Sequence, residues 1–166
     1  MSEVATARQV FECFKDCAER GDLASLLGEL CAGANRQGSP AADAETSRRI
    51  VQRYFEMWNT GQGAFADELL GPTYVEHAHP DFLGPAASRS LVPRLHARYP
   101  GLVVSAEIVV ADAEFVVVRT RLEPGDADGH PDGPRRGMAM FRVADGKLAE
   151  QWTWYAPAGA RVTLMR

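Results

Sequence analysis

The chain is poor in lysine, in cysteine and in long apolar runs. Of its 18 basic residues only Lys15 and Lys147 are lysines, no basic cluster forms, and the formal net charge is −4. Together these exclude the positive stripe that nucleic-acid phosphates demand. No stretch approaches the roughly eighteen apolar residues of a membrane span. The N-terminus, MSEVATARQVFECFKDCAERGD, reads as an amphipathic charged helix rather than a basic segment followed by an apolar block. A cytosolic (cytoplasmic) protein with neither membrane nor nucleic-acid partners is expected. The 3 cysteines cannot all pair, and Cys13 and Cys17 stand one helical turn apart, so reduced thiols are expected rather than a disulfide or a metal site. Small molecules and protein partners remain.

What is present is the balance of an ordinary globular chain: 166 residues, 46% hydrophobic and 24% charged. That length makes about one domain, burying roughly 70% of its unfolded surface, enough to hollow out a pocket without exhausting the core. Residues 4 to 30 carry helical periodicity through Val4, Ala7, Phe11, Phe14 and Ala18, and again through Leu23, Leu26, Leu27 and Leu30 after Gly21-Asp22. The stretch 33–43, GANRQGSPAAD, has loop composition. Residues 1–44 are therefore expected to be a helical extension and linker, and 45–166 the main domain. Ile50, Val51, Tyr54, Phe55 and Trp58 then form one helical stripe, and a short helix, Ala64 to Leu70, ends at Gly71-Pro72. Tyr74-Val75-Glu76 is a short strand, and Ser88, Leu91, Val92, Leu95 and Tyr99 mark a third helix. From Val103 the period changes to that of strands: Val103 to Val110, Phe115 to Leu122, Arg135 to Val143, Lys147 to Tyr155, with a further candidate at Arg161 to Met165. Helices followed by a meander predict an α+β fold, with helices on one face of an antiparallel sheet.

In the last two strands one parity holds Gly137, Ala139, Phe141, Ala149, Gln151, Thr153 and Tyr155, and the other Met138, Met140, Leu148, Trp152 and Trp154. Neither looks solvated. If the first face covers a helix-lined cavity, the second would be a large apolar patch unless covered, and pairing as a homodimer covers it, as would the N-terminal helices. The loop Gly125 to Pro134 reads as a mobile hairpin tip that could serve as a lid.

Four segments, IVQRYFEMWNTG, ELLGPTYVEHAHP, RYPGLVVSAEIVVADAEFVVVR and MFRVADGKLAEQW, in this order and spacing, resemble the SnoaL-like polyketide cyclases of the nuclear-transport-factor-2-like and ketosteroid-isomerase-like superfamily. The resemblance covers about residues 45 to 157. It implies a cone: a curved antiparallel sheet closed by helices around an apolar cavity, used for ring closure or isomerisation without a cofactor.

The resemblance also suggests working residues. Val51-Gln52-Arg53-Tyr54 resembles the isomerase helix whose phenol hydrogen-bonds the substrate oxygen, although Tyr54 also reads as a core tyrosine. His77 follows Val75-Glu76 where the isomerases place a carboxylate base, so it is read as general base or as an orienting hydrogen-bonder at the cavity wall. His79 and Asp81 would complete a His-x-His-x-Asp metal set, but Pro80 ends the strand and the resembling cyclases need no metal, so no metal is expected. The resembling proteins often carry carboxylates where this chain has Ala139 and, in Glu150-Gln151-Trp152-Thr153, only amide and hydroxyl groups. Gln151 and Thr153 can hydrogen-bond an oxygen but cannot take a proton at neutral pH. Arg119 would clamp a carboxylate or carbonyl if it faced inward, or form a rim or interface pair if not.

A cavity walled by Tyr54, Trp58, Tyr74, His77, Phe82, Phe141, Gln151 and Tyr155 follows, with His79, Arg119, Ala139 and Thr153 as further substrate contacts. The expectation is a cofactor-independent cyclase or isomerase of polyketide-type secondary metabolism acting on an apolar substrate, with Tyr54, His77 and Gln151 catalytic. Because the usual acids are missing, an intramolecular cycloaddition is read as more plausible than in a standard aldol cyclase. A non-catalytic binding or assembly protein of the same fold is the alternative.

Overall fold

The computed structural model describes residues 41–111, 114–123, 125 and 133–156. The N-terminal helical pair with Cys13 and Cys17, most of the linker, most of the Gly125 to Pro134 loop and the candidate strand Arg161 to Met165 lie outside the described residues.

Helix α1, Ala41–Thr60, is followed by a 3-10 turn, Gly63–Phe65, and a one-turn helix α2, Ala66–Leu69. Strand β1, Leu70–Glu76, precedes helix α3, Gly84–Arg98, and the meander β2, Val103–Ala111, β3, Phe115–Glu123, β4, Arg135–Ala144, and β5, Lys147–Tyr155. The sheet order is β1-β5-β4-β3-β2, antiparallel throughout except that β1 runs parallel to β5. This is the expected α+β arrangement, a curved and unclosed sheet with helices against one face. Pro72 does not stop β1 from starting at Leu70, because β1 is an edge strand and the missing N–H leaves no ladder bond broken.

Three register breaks shape the sheet: in β1 between Leu70 and Val75, in β2 between Ala106 and Ile108, and at Arg142/Val143 opposite β5. Such bulges bend a strand and increase its twist. The third corrects the parity read from sequence: Arg142 pairs with Glu150 but Val143 pairs with Leu148, so Ala149 is the extra residue and Leu148 turns into the core, fully buried. Asp145 and Gly146, both at positive φ (52° and 72°), make the two-residue turn between β4 and β5.

The core lies between α1 and the sheet. Val51, Tyr54, Phe55 and Met57 of α1 meet Val116, Val118, Phe141, Val143 and Leu148. Phe141 is fully buried, with Tyr54 and Phe55 set edge-on to it at ring centroids of 5.3 and 6.0 Å. The end of α1 is tied to the sheet by Asn59, whose amide donates to the Val104 carbonyl (3.0 Å) and accepts from the Val104 N–H (2.7 Å). A side chain here serves β2 as a neighbouring strand would. On the opposite face, Val117, Met138, Met140 and Trp152 are also buried, bordered by the ion pairs Arg119–Glu107 (2.9 Å) and Arg142–Glu150 (2.7 Å).

Candidate functional site

Between α1, α3 and the inner face of the sheet lies a cavity of about 500 Å³. Each element supplies its wall through its own period. Ser88, Leu91, Leu95 and Tyr99 recur at three- and four-residue steps and form one side of α3 and its C-terminal cap. Tyr54 and Trp58, one turn apart, come from α1; Ala139 from β4; Gln151, Thr153 and Tyr155, two apart, from β5; Tyr74 and Glu76, two apart, from β1. Tyr155 lies against Gly137 of β4, where a β-carbon would come within 2.5 Å of its ring, so the glycine makes room for this aromatic wall. His79 and Phe82 close the mouth from the β1–α3 loop, which is folded by the bonds His79 N–H to Glu76 carbonyl (3.0 Å) and Phe82 N–H to His79 carbonyl (2.9 Å).

Three polar groups of the wall form a connected chain. Tyr74 donates its hydroxyl to Gln151 Oε1 at 2.5 Å, and Gln151 Nε2 donates to Thr153 Oγ1 at 2.6 Å. The Tyr54 hydroxyl lies beside that of Tyr74 and the Trp58 indole, near enough to feel both. The proton at the end of the line is the Thr153 hydroxyl's own. Burial raises the Tyr54, Tyr74 and Tyr155 phenols above their ordinary value, so all three remain neutral donors at physiological pH.

Of the residues singled out in the sequence, Tyr54, Trp58, Tyr74, His79, Phe82, Ala139, Gln151, Thr153 and Tyr155 line this cavity together. Three do not. Phe141 lies beneath Tyr54 and Phe55 as solid core. Arg119 is on the outer face, paired with Glu107 at 2.9 Å and turned away from the cavity it was expected to clamp from. His77 is also outside: its ring stacks on Trp152 (4.5 Å, 5° between planes) and its Nε2 lies 2.9 Å from Glu150 Oε2. The reason is strand parity, since Tyr74 faces inward and His77, three residues on, must face the other way.

The same parity places an unforeseen residue inside. Glu76, paired in register with Gln151, is an inward carboxylate with its side chain 12% exposed. Its Oε1 accepts the Ala78 N–H at 3.2 Å and its Oε2 is hydrogen-bonded to His79 Nδ1. The cavity therefore has a carboxylate even though Ala139, Gln151 and Thr153 provide none. The signal was available in Tyr74-Val75-Glu76: once Tyr74 is inward, Glu76 is too. Among the described residues no cluster of three or more His, Cys, Asp or Glu side chains is placed to hold a metal ion, and His77 and His79 engage different glutamates.

Residues 51–151 match the family model of the SnoaL-like domain. Among solved structures, the chain is similar to a putative SnoaL-like polyketide cyclase from Jannaschia sp. CCS1 (22% identity, 72% of this chain and 91% of that one, TM-score 0.58). It is also similar to a SnoaL-like polyketide cyclase from Agrobacterium tumefaciens (17%, 64% and 88%, TM-score 0.53). A protein from Catenulispora acidiphila with a ketosteroid isomerase-like fold, in complex with trimethylamine, matches at 16% over 70% and 97%, TM-score 0.55. At these identities the structures share the fold alone. No curated protein matches the sequence. No helix of the described residues is long and apolar enough to cross a membrane.

Proposed function

The chain belongs to the SnoaL-like domain family, and from that premise we propose that it is a cofactor-independent cyclase or isomerase of polyketide-type metabolism. Its substrate is largely apolar, bears a carbonyl, and has a ring closed or rearranged inside the cavity. One observation carries this: a hollow of about 500 Å³ with aromatic and aliphatic walls, crossed by a hydrogen-bonded line from Tyr74 through Gln151 to Thr153. Such a wall costs little to desolvate, because its donors and acceptors already satisfy one another. It still offers a guest oxygen two unspent donors, the Thr153 hydroxyl and the second Gln151 amide N–H. Donors fixed before the reaction stabilise developing oxyanion charge without reorganisation. Tyr74 acts behind them, polarising Gln151 through its hydroxyl.

Two chemistries fit. Cycloaddition asks only for shape and orientation, which contribute roughly 7 to 11 kcal/mol when reacting atoms are held close. Aldol closure or isomerisation also asks for a proton acceptor, and the inward Glu76 with His79 supplies the acid–base groups absent from the cavity-facing positions of β4 and β5. Incubation with linear polyketide candidates is expected to give a product of equal mass and altered retention. A guest bound tightly but recovered unchanged would instead identify a binding protein, a reading favoured by how completely the polar line satisfies itself. The proposal includes a homodimer through the outer face, where Ile108 and Trp154 are partly exposed beside Met138 and Trp152. Sedimentation of the full chain and of Trp154→Glu tests it: the substitution is expected to yield monomer.

A further inference from the structure

Glu76 is costly where it stands. A carboxylate on the apolar face of a sheet loses hydration and is kept only when charge-assisted hydrogen bonds replace it. Both replacements come from the loop that follows β1: Ala78 gives its N–H to Oε1, and His79 gives Nδ1 to Oε2. Stability alone does not account for the pair, because the His79 side chain is 66% exposed and a pair at such a site contributes about 0 to 1 kcal/mol. What the pair does accomplish is to fix the imidazole. With Nδ1 held by the carboxylate, the neutral ring carries its proton there, and Nε2 is left as a bare acceptor. Nε2 makes no hydrogen bond to any described residue, and His79 forms part of the cavity mouth together with Phe82.

We infer that Glu76 and His79 are an acid–base couple in which His79 Nε2 takes a proton from the carbon beside the guest carbonyl while Glu76 positions the ring. The inference rests on the proposal that the cavity receives an apolar carbonyl compound, and deepens it. In the step, the C–H bond breaks and its electron pair becomes the new carbon–carbon π bond. The carbonyl oxygen takes up the negative charge against the Thr153 and Gln151 donors, and the proton resides on Nε2. Return of that proton to a different carbon completes an isomerisation. If the enolate carbon instead attacks a second carbonyl, the new alkoxide takes the proton and a ring is closed; either way His79 ends neutral. His79 is the catalytic residue, and Glu76 acts only through it.

The test uses β-tetralone, an apolar ketone with an acidic C–H beside its carbonyl, and β-naphthol, a planar stand-in for its enol. Hydrogen–deuterium exchange of β-tetralone in heavy water is followed by mass spectrometry, and β-naphthol binding by fluorescence. The full chain is expected to bind β-naphthol and to accelerate exchange. His79→Ala and His79→Gln are expected to bind it within about twofold but to lose roughly 100-fold or more in exchange, the scale of a general base. His77→Ala, on the outer face, keeps the exchange rate. For Glu76, ring ¹⁵N shifts at about pH 8, above the ordinary imidazole pKa of roughly 6.5, report the tautomer directly. Wild type is expected to show Nδ1 protonated and Nε2 bare, and Glu76→Gln to weaken that preference and slow exchange about tenfold. Binding without accelerated exchange, undiminished exchange in both His79 variants, or a protonated Nε2 in the wild-type ring each overturns the couple while leaving the cavity reading intact. Failure of the wild-type protein to bind either compound overturns the cavity reading, and the couple with it.

Discussion

Two histidine–glutamate pairs sit on opposite faces of one strand end, and they do different things. Glu76 and His77 are adjacent in the chain, so the alternation of β1 sends one inward and the other out. Outside, His77 lies flat on Trp152 with Nε2 committed to Glu150, and Glu150 is held in turn by Arg142. Both oxygens of Glu150 are taken, one by His77 Nε2 and the other by Arg142 Nε, the mark of a structural clasp. Inside, His79 is held through Nδ1 only, and its second nitrogen is left over at the mouth of a hollow. The same two residue types are a fastener where the sheet is packed and a poised base where it is not. What separates them is the face of the sheet that each ring meets, a tryptophan on one side and a cavity on the other, not the identity of the side chains.

That contrast can be broken at several points. The largest effect is expected at the solid floor of the inner face: Phe141→Ala removes a fully buried ring beneath Tyr54 and Phe55, and should cost about 3 to 5 kcal/mol in urea unfolding. If the loss is under about 1 kcal/mol, the division between packed floor and open cavity is wrong. Next, Ala139→Trp fills the hollow from β4 and should weaken β-naphthol binding about 100-fold or more, roughly 2.7 kcal/mol. Its neighbour Met138→Leu, volume-conserving and on the outer face, should leave binding alone. Equal effects at the two positions would erase the distinction between faces. Smaller again, Tyr74→Phe leaves buried Gln151 Oε1 without its donor and should destabilise by about 1 to 2 kcal/mol, checked by thermal unfolding.

The smallest effect belongs to the outer clasp. Burial pushes the Glu150 carboxyl up, but the hydrogen bonds from His77 and Arg142 outweigh it and hold the group below its ordinary value of 4.5. A carboxyl depressed in the folded state contributes stability that is fully present above the unfolded value and lost as pH falls through the folded one. Stability of the wild-type protein should therefore decline as pH drops below about 4.5, and Glu150→Gln should flatten part of that decline. An unchanged acid limb in Glu150→Gln would show that the clasp contributes nothing.

Much of the molecule could be read from its sequence because it obeys two short-range periods. The apolar stripe of α1, the period of α3 and the alternation of β4 and β5 were legible without a structure, whereas the cavity was implied by the family resemblance, and Leu91, Leu95 and Tyr99 were read as a helix with no place in its wall. Misreadings arose where a period was interrupted or set aside. His77 was given a cavity role although strand alternation opposes it to Tyr74. Leu148 was assigned to the outer face because the bulge at Ala149 cannot be seen in residue order. Phe141 has the parity of a wall residue, yet only the approach of α1 decides that two aromatic rings cover it.

The amino-acid order by itself determined the α+β succession of elements, the apolar character of both sheet faces, and the want of acids at Ala139, Gln151 and Thr153 of the last two strands. Those properties follow from periodicity and composition, which act over a few residues. Only the tertiary structure decided that the Tyr74 hydroxyl joins Gln151 and Thr153 in one line, and that Arg119 turns to Glu107 rather than to a guest. It also decided that Glu76 faces a hollow with His79 folded over it. Hydrogen bonds between residues up to 77 positions apart depend on where curvature brings the strands, and no local pattern records that.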